Sequence, residues 1–582
     1  MQTRDKIIYS IQAGLFLAVA FPPFPLFFMA FVGFIPLFFV LKNNYDNNTK
    51  SYGNTKYIYI TFFIYHTISN WWISTLQENS DIYLFFAGIA LDFIHPLFFL
   101  FPFALLYLVK RLIGFEKAIW IFPLIFTFFE YLHSLGDLGY PWLSLSYTQF
   151  NNFMWLQILD IQSIYGGTLL LCFMNVLIYK LVVQIKRRTP ELIPEKKLTK
   201  YKAISLATKQ IFKIKTNKIY FAIIWAILVL PIIYGWFRVQ EYNFNESIID
   251  KKNSKYINVA LIQPNINPWK KWENTSMEQV NIFYSMTDSI LKSDYPIDLV
   301  VFPETAIPVI NYSVNTDLQL PFFDGILMKN NAALLTGISR IHIYDKDETP
   351  AITSKIIGDD FIAHYNSAIL YDAKNETKFY DKMRLTPLAE RFPFIDYLPF
   401  MKDLLVWSVG ISGWTIGEKL EPMTLIKNND TIKIGTIICI ESIHPAHVRD
   451  LVNKGTNMLA VITNDSWYDG SPGPFQHNLM SMARAIEQRR YIVRCANSGI
   501  SCFIAPSGKI ILQAPQYQAA GISASIPLIN ETDLTIYART GDILPFLCLL
   551  ICIIYIIVVR RYEVVHCALF TDTDFFLLKK IS

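Results

Sequence analysis

Eight apolar segments constrain the fold of this chain of 582 residues more than any other feature. A bilayer core is about 30 Å thick, and roughly 20 apolar residues in a helix cross it while satisfying their own backbone polar groups. The segments that reach or approach this length lie at residues 7–21, 25–41, 57–75, 82–109, 118–134, 160–184, 219–238 and 542–560. The fourth is long enough to be kinked at Pro96 or Pro102. We therefore expect a polytopic α-helical membrane bundle of eight spans.

Lysine and arginine residues near the ends of these segments predict the orientation of the bundle, because cytoplasmic loops carry an excess of them. With eight spans, all of them fall on one side: Arg4, Lys6, Lys42, Lys50, Lys56, Lys110, Arg111, Lys117, the segment 185–218, Arg560 and Arg561. Loops on the other side, such as "NWWISTLQENSD", have none. Both termini, a basic loop at 185–218 and a tail at 561–582 are therefore expected in the cytoplasm.

The charge of the chain argues against a nucleic-acid partner. The formal net charge is only +5 over the whole length, which is too small to imply a strong positive field. We interpret the basic loop 185–218 as a solvated tether near anionic lipid. The resulting division is a transmembrane domain at 1–238, an outer domain at 239–541, a last span at 542–560 and the cytoplasmic tail.

The outer domain, between the seventh and eighth spans, has the pattern of an α/β fold. Short β-branched runs such as "YINVALIQPNI", "IDLVVFPETAI", "AALLTGISRI", "IKIGTIICIE" and "NMLAVITNDSW" are typical of buried strands. Amphipathic stretches such as "SMEQVNIFYSMTDSIL" and "FQHNLMSMARAIEQRR" separate them and predict helices. Alternation of this kind indicates a layered α/β domain.

Three predicted strand ends in this domain each carry a reactive side chain. Glu304 follows "LVVFP", Lys382 follows "KFYD" and Cys439 follows "GTII". Each has an ordinary structural explanation: Glu304 as a neighbour of a helix cap, Lys382 as a solvated turn residue and Cys439 as a buried core residue.

Together, the carboxylate, the ammonium and the thiol suit acyl transfer. A thiol becomes a good nucleophile only when it loses its proton, and a carboxylate can accept that proton as a general base. An ammonium can stabilise the thiolate and the oxyanion that forms when a carbonyl is attacked. Spacing along the chain does not establish that the three side chains meet.

Glu304, Lys382 and Cys439, in this order and with these flanks, resemble the Glu-Lys-Cys triad of the nitrilase, or carbon-nitrogen hydrolase, superfamily. Other motifs narrow the resemblance to its membrane family, the apolipoprotein N-acyltransferases. These motifs are "AFPPFPLF", "GYPWLSLSYTQ" at 139–149, "IYGG" at 164–167, "LIQPNINPWKKWE", "ITNDSWYDGSPGPFQHNLMSMARAIEQRRYIVRCANSGIS" and "APSGKI". The resemblance covers residues 7 to 560, and a soluble amidase would share the triad without the membrane segments.

The resemblance implies an αββα sandwich inserted between spans 7 and 8. It implies Glu304 as general base, Lys382 as oxyanion stabiliser and Cys439 as the nucleophile. Two further acids match functional positions: Glu390 steers the lysine and the substrate amine, and Glu441 is a second supporting acid. Trp272 and Trp467 match aromatic residues near the acyl cleft, with ordinary core packing as the alternative.

The same resemblance implies a ping-pong reaction without metal or cofactor. Cys439 takes an acyl chain from a phospholipid donor as a thioester, and the amine of a diacylglyceryl-modified apolipoprotein then accepts it. The expected location is the inner membrane of a bacterial cell, with a multi-pass monomer whose catalytic domain is periplasmic.

Three departures from the family pattern concern residues near the triad. The family usually reads P-F-G-E-F-V-P where this chain reads "PLAERFP", so Ala389 replaces a glycine and Arg391 an aromatic residue. Ile440 stands where an aromatic residue usually follows the cysteine. These changes affect the loop at 384–394 and leave the triad intact.

Two other functions remain open at the level of the sequence. A membrane-tethered hydrolase of small amides or nitriles would use the same triad with water as the acceptor, and a small closed polar pocket would support it. A receptor or transporter would need no triad. Transporters commonly carry buried charges in their spans, but the spans here contain few, chiefly Asp92 and Glu130.

Overall fold

The computed structural model describes a helical bundle and an α/β domain. The described residues are 1–46, 52–75, 82–196, 199–248, 255–269, 276–293, 295–311, 320–372, 377–401, 413–427 and 430–578. The α-helices of the bundle are Thr3–Ala20, Ile35–Asp46, Tyr52–Asn70, Ile82–Ile94, Leu100–Ile113, Phe115–Ala118, Phe122–His133, Phe153–Leu156, Leu159–Lys196, Lys200–Ile211, Lys215–Ile248 and Ile543–Leu578. Short 3₁₀ helices at Phe27–Phe31, Trp71–Ser74, His95–Leu97, Ile119–Ile121, Pro141–Leu143 and Leu145–Gln149 connect them.

Five helices among the described residues are long and apolar enough to cross a membrane. They are Phe27–Asp46, Leu84–Ile113, Leu159–Ile193, Lys215–Tyr242 and Ile543–Tyr562. They coincide with the second, fourth, sixth, seventh and eighth predicted spans. Helices also stand at the other three predicted positions, at Thr3–Ala20, Tyr52–Asn70 and Phe122–His133.

Proline and side-chain amides account for the irregular parts of the bundle. The fourth predicted span breaks at Pro96, where the 3₁₀ helix His95–Leu97 lies between two α-helices. Around residues 30–34 the backbone is also irregular, and the side chain of Asn175 forms hydrogen bonds to backbone groups of this segment. Its Oδ1 accepts from the Phe34 N–H at 2.8 Å and its Nδ2 donates to the Ala30 carbonyl at 2.8 Å. Buried backbone groups are thus satisfied where no helix satisfies them.

The basic segment 185–218, which we predicted as the loop between the sixth and seventh spans, is largely helical. The helix Leu159–Lys196, interrupted at Gln162 and Ser163, extends well beyond the predicted span, and the helix Lys200–Ile211 packs back against it. Leu192, Ala203 and Ala207 are buried between the two helices. The basic residues lie on the solvated face of an amphipathic helix pair.

Fourteen strands among the described residues form two sheets in the α/β domain. The strands are β1 Tyr256–Gln263, β2 Leu299–Val301, β3 Ile307–Asn311, β4 Ala333–Ile343, β5 Lys355–Ile357, β6 Asp360–Tyr371, β7 Lys378–Asp381, β8 Met423–Lys427, β9 Asp430–Ile438, β10 Met458–Thr463, β11 Ile492–Ala496, β12 Cys502–Ile504, β13 Ile510–Gln513 and β14 Ala520–Pro527. The first sheet has the order β14-β1-β2-β4-β6-β5, with β3 beside β4 and β7 beside β6. The second has the order β13-β12-β11-β10-β9-β8. Strands β1, β2 and β4 are parallel, as are β9, β10 and β11.

Hydrophobic side chains hold the sheets face to face between two layers of helices. Leu261 and Val301 of the first sheet belong to one buried cluster with Ile434 and Ile462 of the second. Helices Ser276–Leu291 and Asp324–Asn330 cover the outside of the first sheet, and Pro445–Asn453 and Gly473–Gln488 cover the outside of the second. The layers are therefore α, β, β and α, as the resemblance implies.

The helix Gly473–Gln488 docks the α/β domain on the bundle. The Oε1 of Gln476 accepts from the indole N–H groups of Trp72 at 3.1 Å and Trp142 at 2.8 Å, and its amide donates to the carbonyls of Pro22 and Ser69. All four bonds are buried. These four contacts therefore position the second sheet relative to the helical bundle.

Candidate active site

Cys439 lies at a sharp turn at the end of β9. The strand stops at Ile438, and Cys439 begins the short 3₁₀ helix Cys439–Ile443. Its φ is +51°, in the left-handed region that residues other than glycine rarely adopt. Strain of this kind clusters at functional sites, where surrounding contacts over-determine the backbone. The turn places the side chain at the wall of a cavity instead of inside the sheet core.

Lys382 meets Glu304 and Glu390 next to this turn. Its Nζ donates to Glu304 Oε1 at 3.0 Å and to Glu390 Oε1 at 2.9 Å. Lys382 directly follows β7 and is 1% exposed, while the two carboxylates come from a turn after β2 and from the loop after Lys382. Side chains 78 residues apart are thus held as an ion pair with almost no access to water.

Two asparagines hold the carboxylate of Glu304 in place. The amide of Asn366 donates to Glu304 Oε1 at 2.7 Å and to Glu390 Oε1 at 2.9 Å. The backbone N–H of Asn464 donates to Glu304 Oε2 at 3.1 Å. Since both oxygens of Glu304 have fixed partners, its orientation toward the lysine is set before any substrate binds.

The electrostatics of the site favour a neutral thiol beside a charged lysine. Burial raises the pKa of Cys439, and the negative charge of Glu304 adds to that increase, while Lys382 acts in the opposite direction. Burial alone would lower the pKa of Lys382, but Glu304 and Glu390 outweigh it and hold that pKa well above its ordinary value. The Cys439 thiol therefore loses its proton only to a base, and Lys382 carries a permanent positive charge.

Glu441 connects the nucleophile turn to the lysine turn. Its Oε2 accepts from the Ile438 N–H at 2.8 Å, and its Oε1 accepts from Met383 N–H at 2.7 Å, Arg384 N–H at 3.2 Å and the Tyr380 hydroxyl at 2.7 Å. It is fully buried. Burial would raise the pKa of Glu441, but nearby His447 and these donors keep that pKa below its ordinary value. Glu441 thus links the turn that carries Cys439 to the turn that carries Lys382.

A second buried network supports the backbone of Cys439. His477 Nε2 lies 3.1 Å from the Cys439 carbonyl oxygen and 2.8 Å from Ser442 Oγ. His477 Nδ1 lies 2.9 Å from Asp465 Oδ1, and Arg494 donates to Asp465 Oδ2 at 2.9 Å. The strained residue is therefore held by a histidine that a carboxylate and a guanidinium orient.

A cavity of about 450 Å³ joins this site to the membrane helices. That volume is in the range of small-molecule sites, roughly 300–1,000 Å³. Its polar end is formed by the triad, and its apolar part by side chains including Leu84, Ala87, Leu91, Ile94, Phe98 and Leu138. Ile94 is 56% and Phe98 37% exposed on the outside of the bundle. The cavity therefore reaches the surface that would face lipid.

Most of the site residues predicted from the sequence line this cavity. Glu304, Lys382, Cys439, Glu390 and Trp467 line it. Glu441 lies behind the cavity wall, and Trp272 lies outside the described residues. The departures Ala389, Arg391 and Ile440 also line the cavity. Arg391 is buried, and its guanidinium donates to Asp396 Oδ1 at 2.6 Å.

Sequence reasoning missed several residues of the site: Trp269, Asn366, Asp465, His477 and Arg494. Trp269 lines the cavity and packs edge-on against Trp467 with ring centroids 4.9 Å apart. It belongs to the same "NPWKKWE" motif as Trp272, so that motif could have indicated it. Asn366 is a polar residue in the buried part of β6, which is a signal because buried polar groups need partners.

Two family models match the chain in the order in which its domains occur. The model of the apolipoprotein N-acyltransferase N-terminal domain matches residues 13–177, and the carbon-nitrogen hydrolase model matches residues 258–532. Apolipoprotein N-acyltransferase from Chlorobaculum tepidum is 27% identical, and the match covers 93% of each chain. The chain belongs to the apolipoprotein N-acyltransferase family. It is therefore an acyltransferase, and its α/β domain is nitrilase-like.

Other members of the family match over a similar length. Apolipoprotein N-acyltransferase from Geobacter metallireducens is 26% identical over 94% of this chain and 93% of its own. Apolipoprotein N-acyltransferase 2 from Treponema denticola is 29% identical over 91% of this chain and 92% of its own. Among solved structures, Saccharomyces cerevisiae Nit3, a member of branch 10 of the nitrilase superfamily, covers 47% of this chain with 17% identity and a TM-score of 0.35. The family assignment rests on the sequence matches.

Proposed function

We propose that this chain transfers an acyl chain from a phospholipid to the N-terminal diacylglyceryl-cysteine of apolipoproteins, the last step of lipoprotein maturation. The observation that carries the proposal is the apolar cavity between Cys439 and the lipid-facing surface at Ile94 and Phe98. A long acyl chain can occupy it without entering water, which would cost about 0.8 kcal/mol per CH₂ group. Such a cavity disfavours the alternative of a small amide or nitrile hydrolase.

The first half-reaction forms a thioester on Cys439. Glu304 accepts the thiol proton while the sulfur attacks the sn-1 ester carbonyl of the donor. Lys382 stabilises the oxyanion of the tetrahedral intermediate. The ester C–O bond then breaks, and the proton from Glu304 passes to the departing alkoxide. The products of this stage are the acyl-enzyme and a lysophospholipid.

The second half-reaction transfers the acyl chain to an amine. The α-amine of the diacylglyceryl-cysteine attacks the thioester carbonyl, an amide bond forms and the C–S bond breaks. The amine must be deprotonated, and since the pKa of an α-amine is about 7.7–8.0, a carboxylate has to take up its proton. Glu390, which shares Lys382 with Glu304, is the residue we assign to steering the amine.

The topology belongs to the same proposal. Eight spans, with 239–541 inserted between the seventh and eighth, place both termini in the cytoplasm and the catalytic domain in the periplasm of a bacterial inner membrane. The two lipid substrates then reach the cavity from the outer leaflet. We propose that the enzyme acts as a monomer, because the triad comes from one chain.

Mass spectrometry of the purified protein tests the proposed function. After incubation with a phospholipid, we expect the mass of one acyl chain on Cys439 and release of lysophospholipid. Addition of a diacylglyceryl-cysteine peptide should remove that mass and yield a triacylated peptide. Release of free fatty acid at the same rate without the peptide would support the hydrolase instead.

A further inference from the structure

The chemistry of a phospholipid donor places a phosphodiester close to Cys439. One glycerol backbone links the sn-1 ester carbonyl to the phosphate, so any donor whose carbonyl reaches the sulfur also brings its phosphate near the catalytic turns. A buried charge is costly unless it is paired and hydrogen-bonded. A binding site for this phosphate is needed only if the donor is a phospholipid, as in the proposed function above.

Arg384 is fixed beside the nucleophile through its backbone alone. Its N–H donates to Glu441 Oε1, and the other oxygen of this carboxylate accepts from Ile438, the residue before Cys439. The side chain of Arg384 is exposed and lines the catalytic cavity. Within the described part of the chain, this guanidinium makes no side-chain hydrogen bond or ion pair.

His444 is a second polar side chain of the cavity without a partner. It is 8% exposed and lines the same cavity as Arg384. Its ring makes no hydrogen bond to any residue that the structure describes. Because the ring lines the cavity, a ligand bound there can supply a hydrogen-bond partner to this imidazole.

The charges around His444 suit an anion. Burial lowers the pKa of His444 to about 3, with Arg384 the next largest influence, so the ring is neutral and can donate one N–H. His447 and Arg484 act in the same direction as Arg384, and only Glu441 opposes them. The negative charge of Glu441 is already compensated by the backbone N–H groups that donate to it.

The other cations of the cavity are occupied by acidic partners. Lys382 is bound by Glu304 and Glu390, and Arg391 is bound by Asp396. Arg384 therefore differs from the other cations among the described lining residues, because it has no carboxylate partner. Arginine is also the side chain whose planar fork best matches two phosphate oxygens.

We propose that Arg384 and His444 form a binding subsite for the phosphodiester of the phospholipid donor. Arg384 binds the phosphate oxygens, and His444 donates one hydrogen bond to them. The subsite acts only in the first half-reaction, since the diacylglyceryl-cysteine acceptor has no phosphate. It makes the enzyme select glycerophospholipids over neutral lipid esters.

Acyl donors with and without phosphate test this subsite. The measured quantity is the rate of thioester formation on Cys439 by purified full-length protein, with either phosphatidylglycerol or p-nitrophenyl palmitate as donor. For Arg384→Gln we expect kcat/KM with phosphatidylglycerol to fall by about 10- to 100-fold, the usual range for a lost charge-assisted hydrogen bond. The rate with p-nitrophenyl palmitate should stay within about twofold, which also shows that the variant is folded.

Arg539→Gln is the matched control. Arg539 is an exposed arginine of the same domain that does not line the cavity. Its substitution removes the same positive charge as Arg384→Gln but changes no residue of the proposed subsite. We expect it to react like the wild type with both donors. An equal loss in Arg384→Gln and Arg539→Gln, a loss with both donors, or no loss at all would overturn the subsite.

Competitors distinguish a lipid headgroup from a free phosphate. Glycerophosphoglycerol should inhibit the wild type with phosphatidylglycerol as donor and should inhibit Arg384→Gln much less. Inhibition by inorganic phosphate at equal concentration and strength would contradict a site for the phosphodiester. If the wild type forms no thioester with either donor, the proposed function itself fails, and this result is distinct from every outcome that concerns Arg384.

Discussion

The surroundings of Cys439 distinguish it from the other cysteines of the α/β domain. Burial raises the pKa of Cys439, and it also raises the pKa of Cys495, which lies in the sheet core and donates to the carbonyls of Ile262 and Val301. What separates the two is the left-handed turn and the neighbouring base and lysine. In the proposed mechanism, the reactivity of Cys439 therefore depends on Glu304 and Lys382.

The first prediction compares these two cysteines. Cys439→Ser should form no acyl-enzyme, because a hydroxyl beside the same base is a far weaker nucleophile than a thiolate. Cys495→Ser should still form it, since this residue lies away from the cavity. Intact-mass analysis after exposure to phospholipid measures both variants. An acylated Cys439→Ser protein with normal turnover would return Cys439 to a structural role.

The second prediction separates the two half-reactions at Glu390. Glu390→Ala should slow transfer to the amine at least as much as thioester formation, so the protein should be isolated partly as its acyl-thioester. Lys382→Ala and Glu304→Gln should instead stay empty, because both residues act in the first attack, where loss of one oxyanion donor costs about 10²–10³ in rate.

The readout of this second prediction is thioester occupancy in the three variants after the same exposure to phospholipid. Glu390 touches Lys382 directly, so it could simply brace the lysine. An empty Glu390→Ala protein would show that bracing is its whole role.

At the scale of elements, Glu441 couples the end of β9 to the turn after β7. Among the described residues, the hydrogen-bond donors to its carboxylate all belong to the α/β domain. The two turns are thus positioned by one buried charge instead of by sheet pairing, since β7 and β9 belong to different sheets.

The third prediction is the pH dependence that follows from this charge. The folded pKa of Glu441 lies below 4.5, its ordinary value. The carboxylate therefore adds stability that is complete above about pH 4.5 and is lost as the pH falls through the lower folded value. Glu441→Gln should cost about 1–3 kcal/mol at pH 7, because backbone donors lose a charged acceptor. The difference from the wild type should shrink below pH 4.5.

Thermal unfolding of the detergent-solubilised protein between pH 7 and pH 3.5 measures this effect. Glu531→Gln is the control, because Glu531 pairs with Lys433 at the surface, where ion pairs contribute little. A difference between Glu441→Gln and the wild type that stays constant over the whole pH range would contradict the assignment.

At the scale of the whole molecule, buried polar contacts fix the α/β domain on the bundle. Arg489 donates to Asp160 through Nε at 2.9 Å and through a second nitrogen at 2.7 Å, and Arg238 donates to the same carboxylate. Together with the bonds of Gln476, these contacts hold the two domains against each other, and the cavity lies between them with lining residues from both. The catalytic domain is therefore held at the membrane surface by specific bonds.

The fourth prediction concerns the direction in which the molecule crosses the membrane. A thiol reagent that stays outside the inner membrane should label a cysteine introduced at Lys346 and should not label one introduced at Tyr201, which is 85% exposed on the helix Lys200–Ile211. The physical reason is the excess of basic residues on the Tyr201 side. Labelling of Tyr201→Cys in intact cells would overturn the eight-span topology, and labelling of both positions after lysis is the control.

The sequence by itself determined the features that depend on neighbouring residues. Apolar runs long enough to span a bilayer, the break at Pro96, the alternation of strands and helices and the motifs around Glu304, Lys382 and Cys439 can all be read locally, because hydropathy and backbone restriction act over a few residues.

The tertiary structure alone decided the features that join distant parts of the chain. The cavity between Cys439 and the bundle, the bridge of Glu441 between two sheets and the Asn366 bonds to both carboxylates need side chains that are tens of residues apart. The segment 185–218 shows the same limit: its place between two apolar spans predicted a connecting loop, and only the packing of Leu192 with Ala203 and Ala207 shows that this connection folds as a helix pair. Packing between elements decides such contacts, and a linear pattern does not specify which surfaces will meet.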